Sequence, residues 1–268
     1  MGWMAWEAYR TNVNEGLVRN TTMVMVRDNW LASGYDTVHI DDGWSLPTRD
    51  PVTNEIRADP SKFPNGIASL ASFVHSHGMK LGLYSSASPV TCAGYMGSEG
   101  HESQDAKTFA SWGVDYLKYD ACQKNRTRLA ASYRAMGAAL STTKIAYSCS
   151  WGAAIGKNWP FADFVDAGCD TWRLWHDIEA KKGWSDVVRI SEHWADSYAE
   201  LRNWSGPPSS GRGWHDPDQL LAGDPQLTPV ESVAQFALWA HLSAPLIMGN
   251  RLADPSTMAP ELRKAMQV

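Results

Sequence analysis

The sequence predicts a closed (β/α)8 barrel, the TIM-barrel architecture, formed by a single domain over residues 1–268. Short apolar, β-prone runs alternate about eight times with longer amphipathic runs, which is typical of a parallel sheet with crossover helices. A chain of this length favours the closed barrel over a doubly wound sheet. The sequence contains no GxGxxG or Walker-type loop, which weighs against nucleotide-binding folds.

Eight short apolar runs are predicted as strands because they are rich in β-branched and aromatic residues. In chain order they are Gly2–Trp6, Thr37–Ile40, Lys80–Tyr84, Val114–Tyr119, Ile145–Cys149, Asp170–Leu174, one run before Trp214, and Pro245–Met248. The longer runs between them are predicted as helices. They are Leu17–Ser33, Ile67–His77, Ser103–Trp112, Arg128–Ser141, Glu179–Asp196 and Pro229–Leu242.

Charge and hydropathy weigh against two classes of partner. The net charge is −5 and no basic cluster occurs, so we expect no nucleic-acid partner. No apolar run reaches the ~18 residues that span a membrane, so we expect no membrane insertion.

The chain contains 14 tryptophans. Aromatic faces stack on sugar rings, which favours a carbohydrate partner, although core packing is the simpler explanation for most of them.

Charged residues collect at the ends of several predicted strands. Lys118 and Asp120 end the apolar run VDYLKYD, where charged groups cost desolvation free energy unless they are used. Other strands are followed by Asp41, Asp42, Asp177, Asp216 and Asp218. Each aspartate alone is explained as well by a helix N-cap, but catalytic residues of barrels lie at the carboxyl ends of strands. A barrel mouth with several carboxylates and tryptophans is typical of a sugar-hydrolysing enzyme.

Eight motifs together resemble glycoside hydrolase family 27, the α-galactosidase and α-N-acetylgalactosaminidase (melibiase) family. In family order they are GWMAWEAYR, HIDDGW, DPSKFPNGIASLASFVHSHGMKLGLYS, TCAGYMGSEGHESQDAKTFASWGVDYLKYDAC, SCSWG, CDTWRLWHDI, GWHDPDQL and ALWAHLSAPLIMGNRL. Each short motif is unspecific alone, but eight in register are specific. The resemblance implies a retaining glycoside hydrolase without a metal ion or another cofactor.

The resemblance also implies roles for individual residues. Asp120 matches the family's nucleophile and Asp177 its acid/base. The residues that match sugar contacts are Trp6, Asp41, Asp42, Tyr84, Lys118, Ser150, Ala153 and Arg173, and Asp218 matches a carboxylate near the acid/base. Without the resemblance, Asp120 and Lys118 are explained as well by a buried ion pair.

The four cysteines permit two disulfides in three connectivities. No pair has CxxC spacing, so a zinc site is not expected. The resemblance to family 27 implies the pairs Cys92–Cys122 and Cys149–Cys169. Three N-x-[ST] triplets, at Asn20, Asn125 and Asn203, are consistent with a glycoprotein. Together these features predict an extracellular, secretory or lysosomal location, although the first residues lack the pattern of a signal peptide.

A glycosidase that retains the anomeric configuration requires two carboxyl groups with a defined spacing and different protonation states. They must lie ~5–5.5 Å apart, one ionised for attack and the other protonated for donation. Arg173 and Lys118 are the cations that could favour an ionised carboxylate. Trp172 and Trp175 flank the Asp177 segment in sequence, and we expect them to give Asp177 the apolar setting that keeps an acid protonated.

The sequence departs from the family pattern in several places. Ser85 and Ser86 stand where relatives usually carry an acid, and Thr11 and Gly43 replace a disulfide near the N-terminus. The resemblance implies that Val268 lies just past the last helix of the barrel, so the family's C-terminal β-sandwich is not part of this sequence. Either the sequence is a piece of a longer protein or it is a member of the family that consists of the barrel alone.

The function implied is the hydrolysis of terminal α-linked galactose residues from a glycan or small glycoside. Ser150 and Ala153 are small, as in α-N-acetylgalactosaminidases, so an N-acetyl group at C2 of the sugar is an open alternative. A β-L-arabinopyranosidase is a third enzymatic reading. A galactose-binding protein without hydrolytic activity is the rival from another class, but it would need neither Asp120 nor Asp177. Each of these four functions is compatible with a chain that forms homo-oligomers.

Overall fold

The structure, a computed structural model, describes residues 1–122, 125–156, 158–254, 258 and 260–267. Its centre is one sheet of eight strands in the order β7-β6-β5-β4-β3-β2-β1-β8, in which every pairing is parallel. The strands are β1 Gly2–Met4, β2 Thr37–His39, β3 Lys80–Ser86, β4 Tyr116–Asp120, β5 Ala146–Cys149, β6 Thr171–Arg173, β7 Trp214–Asp216 and β8 Ile247–Met248. The predicted (β/α)8 barrel is confirmed.

The sheet closes on itself through a segment that follows β7. Leu220 forms a parallel bridge with Met248 of β8. Its N–H donates to the Ile247 carbonyl at 2.7 Å, and its own carbonyl accepts the Gly249 N–H at 2.8 Å. Because β8 also pairs with β1, this bridge joins the two edges of the sheet and places the carboxyl ends of all strands around one mouth.

Helices follow the strands and cover the outside of the barrel. They are α1 Trp6–Tyr9, α2 Glu15–Arg27, α3 Gly66–Ser76, α4 Glu102–Ser111, α5 Arg126–Leu140, α6 Trp151–Ile155, α7 Phe161–Asp166, α8 Trp184–Leu201, α9 Pro229–His241 and α10 Pro260–Met266. Local signals fix several starts. Helix α9 begins at a capping box of Thr228 and Glu231 with Pro229 in the first turn, and the Asn14 side chain accepts the Leu17 N–H at the start of α2.

Strand β4 separates apolar from polar side chains by its alternation. Leu117 and Tyr119 are fully buried and pack in the apolar core, and the Tyr119 hydroxyl lies 2.8 Å from the Ser132 hydroxyl of α5. The residues between and after them, Lys118 and Asp120, therefore point to the opposite face, into the barrel. This alternation explains how a core strand carries two charged side chains.

Several sequence-based boundaries are wrong. Helix α2 ends at Arg27 instead of Ser33, because Asp28 leaves the helical conformation at φ −98° and ψ 22°. Trp6 lies in α1 rather than in β1, because Ala5 already has helical φ and ψ angles of −71° and −20°. The seventh strand begins at Trp214 instead of ending before it. Helix α8 begins at Trp184, after a 3-10 turn at Ala180–Lys182, because Gly183 at φ +54° interrupts the helical path. The short helices α1, α6, α7 and α10 were not predicted.

In the part of the chain that the structure describes, no helix is both long and apolar enough to cross a lipid bilayer.

Candidate active site

The side chains singled out in the sequence lie at the carboxyl ends of the strands or in the loops that follow. Asp41 and Asp42 follow β2, Tyr84 lies in β3, and Lys118 and Asp120 lie in β4. Ser150 follows β5, Arg173 ends β6, and Asp177 and Asp218 lie in the loops after β6 and β7. Parallel pairing of these strands brings the groups to one end of the barrel, as expected for a barrel enzyme.

Asp120 is held in a fixed orientation. The Tyr84 hydroxyl donates to its Oδ2 at 2.7 Å, and the Ala121 N–H donates to its Oδ1 at 2.8 Å. Burial raises the pKa of Tyr84, and the negative charge of Asp120 raises it further. Tyr84 is therefore a neutral donor, which leaves Asp120 as the acceptor of this hydrogen bond.

Lys118 is the cation at the centre of the barrel mouth. Its Nζ lies 2.8 Å from Asp41 Oδ2, and it sits 5.4 Å from the centroid of the Tyr84 ring. Burial opposes the charged form of Lys118, but the carboxylates of Asp41, Asp120 and Asp218 outweigh burial and raise its pKa. Lys118 consequently stays protonated and offers N–H donors to oxygen atoms of a ligand.

The Asp41–Asp42 pair is fixed by the backbone. The Asp42 N–H donates to Asp41 Oδ1 at 2.8 Å, and the N–H groups of Gly43 and Ala93 donate to the two oxygens of Asp42 at 2.7 and 2.8 Å. Burial raises the pKa of both carboxyl groups, and these hydrogen bonds oppose the rise. The pair forms an oriented set of acceptors suited to the hydroxyl groups of a sugar.

Arg173 joins the two loops that carry the remaining carboxylates. Its Nη2 lies 3.1 Å from Asp177 Oδ1, 3.0 Å from Asp218 Oδ2 and 3.2 Å from the Trp175 carbonyl oxygen. Burial opposes its charge, but Asp218 and Asp177 raise the pKa of Arg173. The guanidinium therefore fixes the loop after β6 against the loop after β7.

Asp218 adopts a backbone conformation that ordinarily favours glycine, with φ of +85°. Its carboxylate is fully engaged, since Oδ2 accepts the Ile178 N–H at 2.9 Å and Oδ1 accepts the Gln219 N–H at 2.8 Å. Its carbonyl oxygen accepts the Trp239 indole N–H at 2.7 Å. These contacts hold a strained residue in place, a combination that is common at functional sites.

Asp177 stands apart because its side chain is 73% exposed. Desolvation by neighbouring protein atoms would by itself raise the pKa of Asp177, but the charges of Arg173 and Lys118 lower it. The apolar setting expected from the flanking tryptophans is wrong. Trp172 is fully buried and donates to His215 Nδ1 at 2.6 Å, and the Trp175 ring stacks on His193 at 3.6 Å.

Ser150 and Ala153 lie beside the barrel mouth on the loop after β5 and the start of α6. Ser150 is 3% exposed, and its Oγ has no hydrogen-bond partner among the described residues. Trp6 is half-buried in α1, with the Arg10 guanidinium 5.3 Å from its ring centroid. A cavity of about 680 Å³ has Trp6 and Asp177 in its wall.

Two buried carboxyl groups near the site were not assigned a role from sequence. Burial raises the pKa of Asp216 to about 6, although Arg173 opposes the rise. Burial likewise raises the pKa of Glu7 to about 7, although the Ala180 N–H and Arg10 oppose it. Asp216 could have been recognised as the last residue of a strand next to Asp218, whereas no pattern around Glu7 separates it from an ordinary helical glutamate.

The disulfides Cys92–Cys122 and Cys149–Cys169 are both present. The first borders the site, with Cys92 Sγ 3.5 Å from Asp120 Oδ2 and Cys122 Sγ 3.6 Å from the Tyr84 hydroxyl. Among the described residues, one cluster of His, Cys, Asp and Glu side chains has metal-ligand distances, and it consists of Asp120 and these two cysteines. Bridged sulfurs offer no thiolate, so the donor set does not fit a metal ion.

Comparison with known proteins identifies the family of this barrel. The melibiase family model described as alpha galactosidase A matches residues 1–268. The chain belongs to the melibiase family, glycoside hydrolase family 27. The family membership inferred from the eight motifs is thereby confirmed.

Individual members of the melibiase family match 98% or more of the chain. Human alpha-galactosidase A is 37% identical over 279 residues, which are 98% of this chain and 63% of that protein. The alpha-N-acetylgalactosaminidase of Gallus gallus is 36% identical over 282 residues, which are 100% of this chain and 67% of that protein. The structure of alpha-galactosidase I from Mortierella vinacea superposes with a TM-score of 0.80 at 30% identity and covers 100% of this chain and 72% of that one. The chain thus spans about two thirds of the length of its relatives.

Proposed function

We propose that this melibiase-family barrel is a retaining α-galactosidase, which removes terminal α-linked galactose by double displacement. The observation that carries the proposal is the pair of carboxylates in different settings. Asp120 is oriented inside the mouth by the Tyr84 hydroxyl, whereas Asp177 is exposed at the rim on Arg173. A retaining mechanism needs one carboxylate that attacks and another that exchanges protons with the leaving group and water.

In the first step, an Asp120 oxygen bonds to the anomeric carbon while the bond from that carbon to the leaving-group oxygen breaks. Asp177 donates a proton to that oxygen, so the leaving group departs as a neutral alcohol. The Lys118 ammonium group and the Asp41–Asp42 pair are suited to hold the sugar hydroxyls during the attack, because they supply donors and acceptors fixed by their own hydrogen bonds.

In the second step, water attacks the anomeric carbon and the bond to Asp120 breaks. The ionised Asp177 accepts the proton of the water, which regenerates both carboxyl groups in their starting states. The contact with Arg173 favours this ionised form. Two inversions at one carbon return the α configuration, so the first product is α-galactose.

The proposal is tested by incubating the protein with 4-nitrophenyl α-galactoside and with melibiose and following the anomeric proton of galactose by NMR. We expect galactose release with the α-anomer appearing first and mutarotating later. The absence of release on both substrates would overturn the proposed function. A β-anomer as first product would overturn double displacement.

An α-N-acetylgalactosaminidase is the second candidate, because the two side chains beside the mouth after β5 are small. Ser150 is a buried hydroxyl without a partner among the described residues, and Ala153 is half-buried. We infer that two small side chains at these positions leave room for an N-acetyl group at C2 of a bound sugar. Larger side chains at these positions would occupy that space.

The double substitution Ser150→Glu/Ala153→Leu separates the two candidates. Overfilling a fitted pocket costs a few kcal/mol, so kcat/KM on an α-N-acetylgalactosaminide should fall by ~10²-fold. Activity on the α-galactoside should persist, because the new carboxylate can accept a hydrogen bond from a 2-hydroxyl group. The measurement is kcat/KM on both nitrophenyl glycosides for both proteins. An unchanged ratio of the two values would show that these positions do not distinguish a 2-hydroxyl from a 2-acetamido group on the sugar.

We further propose that residues 1–268 act as one catalytic unit on glycans or small glycosides with terminal α-galactose. The two disulfides support a location in an oxidising compartment, such as the extracellular space or the secretory pathway.

A further inference from the structure

Glu7 is a buried carboxyl group that no step of the proposed reaction uses. It follows Trp6 directly in α1, and its side chain is only 1% exposed. Removing a carboxyl group from water is costly unless its oxygens are hydrogen-bonded. The contacts of these oxygens therefore indicate what the group does.

The contacts of Glu7 join two parts of the cavity wall. Its Oε2 accepts the Ala180 N–H at 2.9 Å, three residues beyond Asp177. The Arg10 guanidinium lies 3.0 Å from both oxygens and also sits over the Trp6 ring. One side chain thus connects the helix that carries Trp6 to the segment that carries Asp177.

Three further contacts hold the Asp177 segment close to the carboxylate. Asp177 is 73% exposed and is held by Arg173, and the Ile178 N–H is held by Asp218. The Glu179 N–H is held by Asp186 of α8 at 2.8 Å. These three tethers attach the segment to β6, to the helix after it and to the loop after β7. The Glu7 contact attaches it to the β1 side, across the cavity that contains Trp6 and Asp177.

We propose that Glu7 is a positioning residue of the reaction, which holds the Asp177 segment at a fixed distance from Trp6 through the Ala180 N–H. The proposal rests on the proposed function, because it assigns Asp177 the role of proton donor. Loss of the tether displaces the donor without removing it. A misplaced donor slows a reaction whose leaving group needs the proton and hardly affects one whose leaving group departs as a stable anion.

The experiment compares kcat/KM on melibiose with kcat/KM on 4-nitrophenyl α-galactoside. For Glu7→Ala we expect a loss of ~10- to 100-fold on melibiose and of at most about threefold on the nitrophenyl substrate. Glu7→Gln keeps an amide oxygen that can accept the Ala180 N–H, and the half-exposed Arg10 can turn away from the amide nitrogen. This conservative variant should restore most of the melibiose activity.

A second variant breaks the tether from the other side. Ala180→Pro removes the N–H that Glu7 accepts and leaves Glu7 in place. The backbone tolerates proline there, because Ala180 is the first residue of a 3-10 turn and Glu179 before it is extended at φ −121° and ψ 114°. We expect the same selective loss on melibiose. If Glu7→Ala does not fold, this variant alone tests whether the Glu7–Ala180 hydrogen bond positions Asp177.

Glu15→Ala is the matched control. Glu15 is also a buried glutamate with a side chain 6% exposed, it pairs with Arg19 at 2.8 Å, and it accepts the Asn65 N–H at 3.2 Å. Its truncation should lower the melting temperature like that of Glu7 but leave the ratio of the two substrates within about twofold of the wild type.

Four outcomes overturn the positioning role. They are equal losses on both substrates in Glu7→Ala, a substrate ratio in Glu15→Ala that shifts as far as in Glu7→Ala, no recovery in Glu7→Gln, and wild-type kinetics in Ala180→Pro. If the wild-type protein is active and a variant gives any of these results, only the positioning role of Glu7 is overturned. A wild-type protein inactive on both substrates overturns the proposed function, and the role of Glu7 falls with it.

Discussion

Replacing Asp120 with asparagine should lower kcat on every α-galactoside by ~10³-fold or more while the protein keeps its fold. An amide has the shape of a carboxylate but is a poor nucleophile, so the glycosyl-enzyme bond cannot form at a useful rate. The amide oxygen can keep accepting the Ala121 N–H while the amide nitrogen donates to the Tyr84 hydroxyl, which preserves the packing around the end of β4. The loss should be the same for activated and unactivated leaving groups, because no covalent intermediate forms with either.

Asp170→Asn is the control for this variant. Asp170 also presents a carboxylate oxygen to a backbone N–H, that of Tyr147 at 2.7 Å, but it precedes β6, at the opposite end of the barrel from the mouth. Steady-state kinetics and thermal melts of both variants give the comparison. Residual activity of Asp120→Asn within tenfold of the wild type would show that Asp120 is not the nucleophile.

Asp177→Asn should have an effect that depends on the substrate. On melibiose, whose leaving group needs a proton, we expect a loss of ~10²- to 10⁴-fold in kcat/KM. On 4-nitrophenyl α-galactoside the first step needs no acid, so kcat/KM should change little, while kcat falls because the water in the second step loses its base. Equal losses in kcat/KM on both substrates would contradict the acid/base role.

The pH profile of the wild type gives an independent check on Asp177. The acid must be protonated in the free enzyme, so kcat/KM on melibiose declines as the pH rises through the pKa of Asp177. Since Arg173 and Lys118 lower this pKa, the alkaline limb of the profile should lie in the acidic range. The limb should be absent for Asp177→Asn. Its persistence at the same pH would assign it to another group.

The order of the strands and the groups at their ends could be predicted from the sequence for a physical reason. Every strand is parallel, so whatever follows an apolar run is delivered to the same end of the barrel. Asp41, Asp120 and Arg173 each stand at such a position, and the structure brings them to one mouth. The family motifs then supplied roles that position alone could not.

Other features depend on contacts between distant parts of the chain. Leu220 closes the barrel although it lies outside any predicted strand, because it pairs with the two-residue strand β8. Asp177 meets Arg173 instead of an apolar wall, because Trp172 turns into the core to reach His215. Glu7 takes its importance from Ala180, 173 positions away in the sequence. No local pattern encodes such pairings.

The bridge between Cys92 and Cys122 has a consequence for its own survival. Reduction requires an attacking thiolate, which is an anion, to approach one of the sulfurs along the disulfide axis. Asp120 Oδ2 lies 3.5 Å from Cys92 Sγ, so an ionised Asp120 repels that anion at the sulfur it must reach. The negative charge beside Cys92 therefore slows attack on this crosslink by small reducing thiols, and in the proposed reaction that charge is absent while Asp120 is esterified.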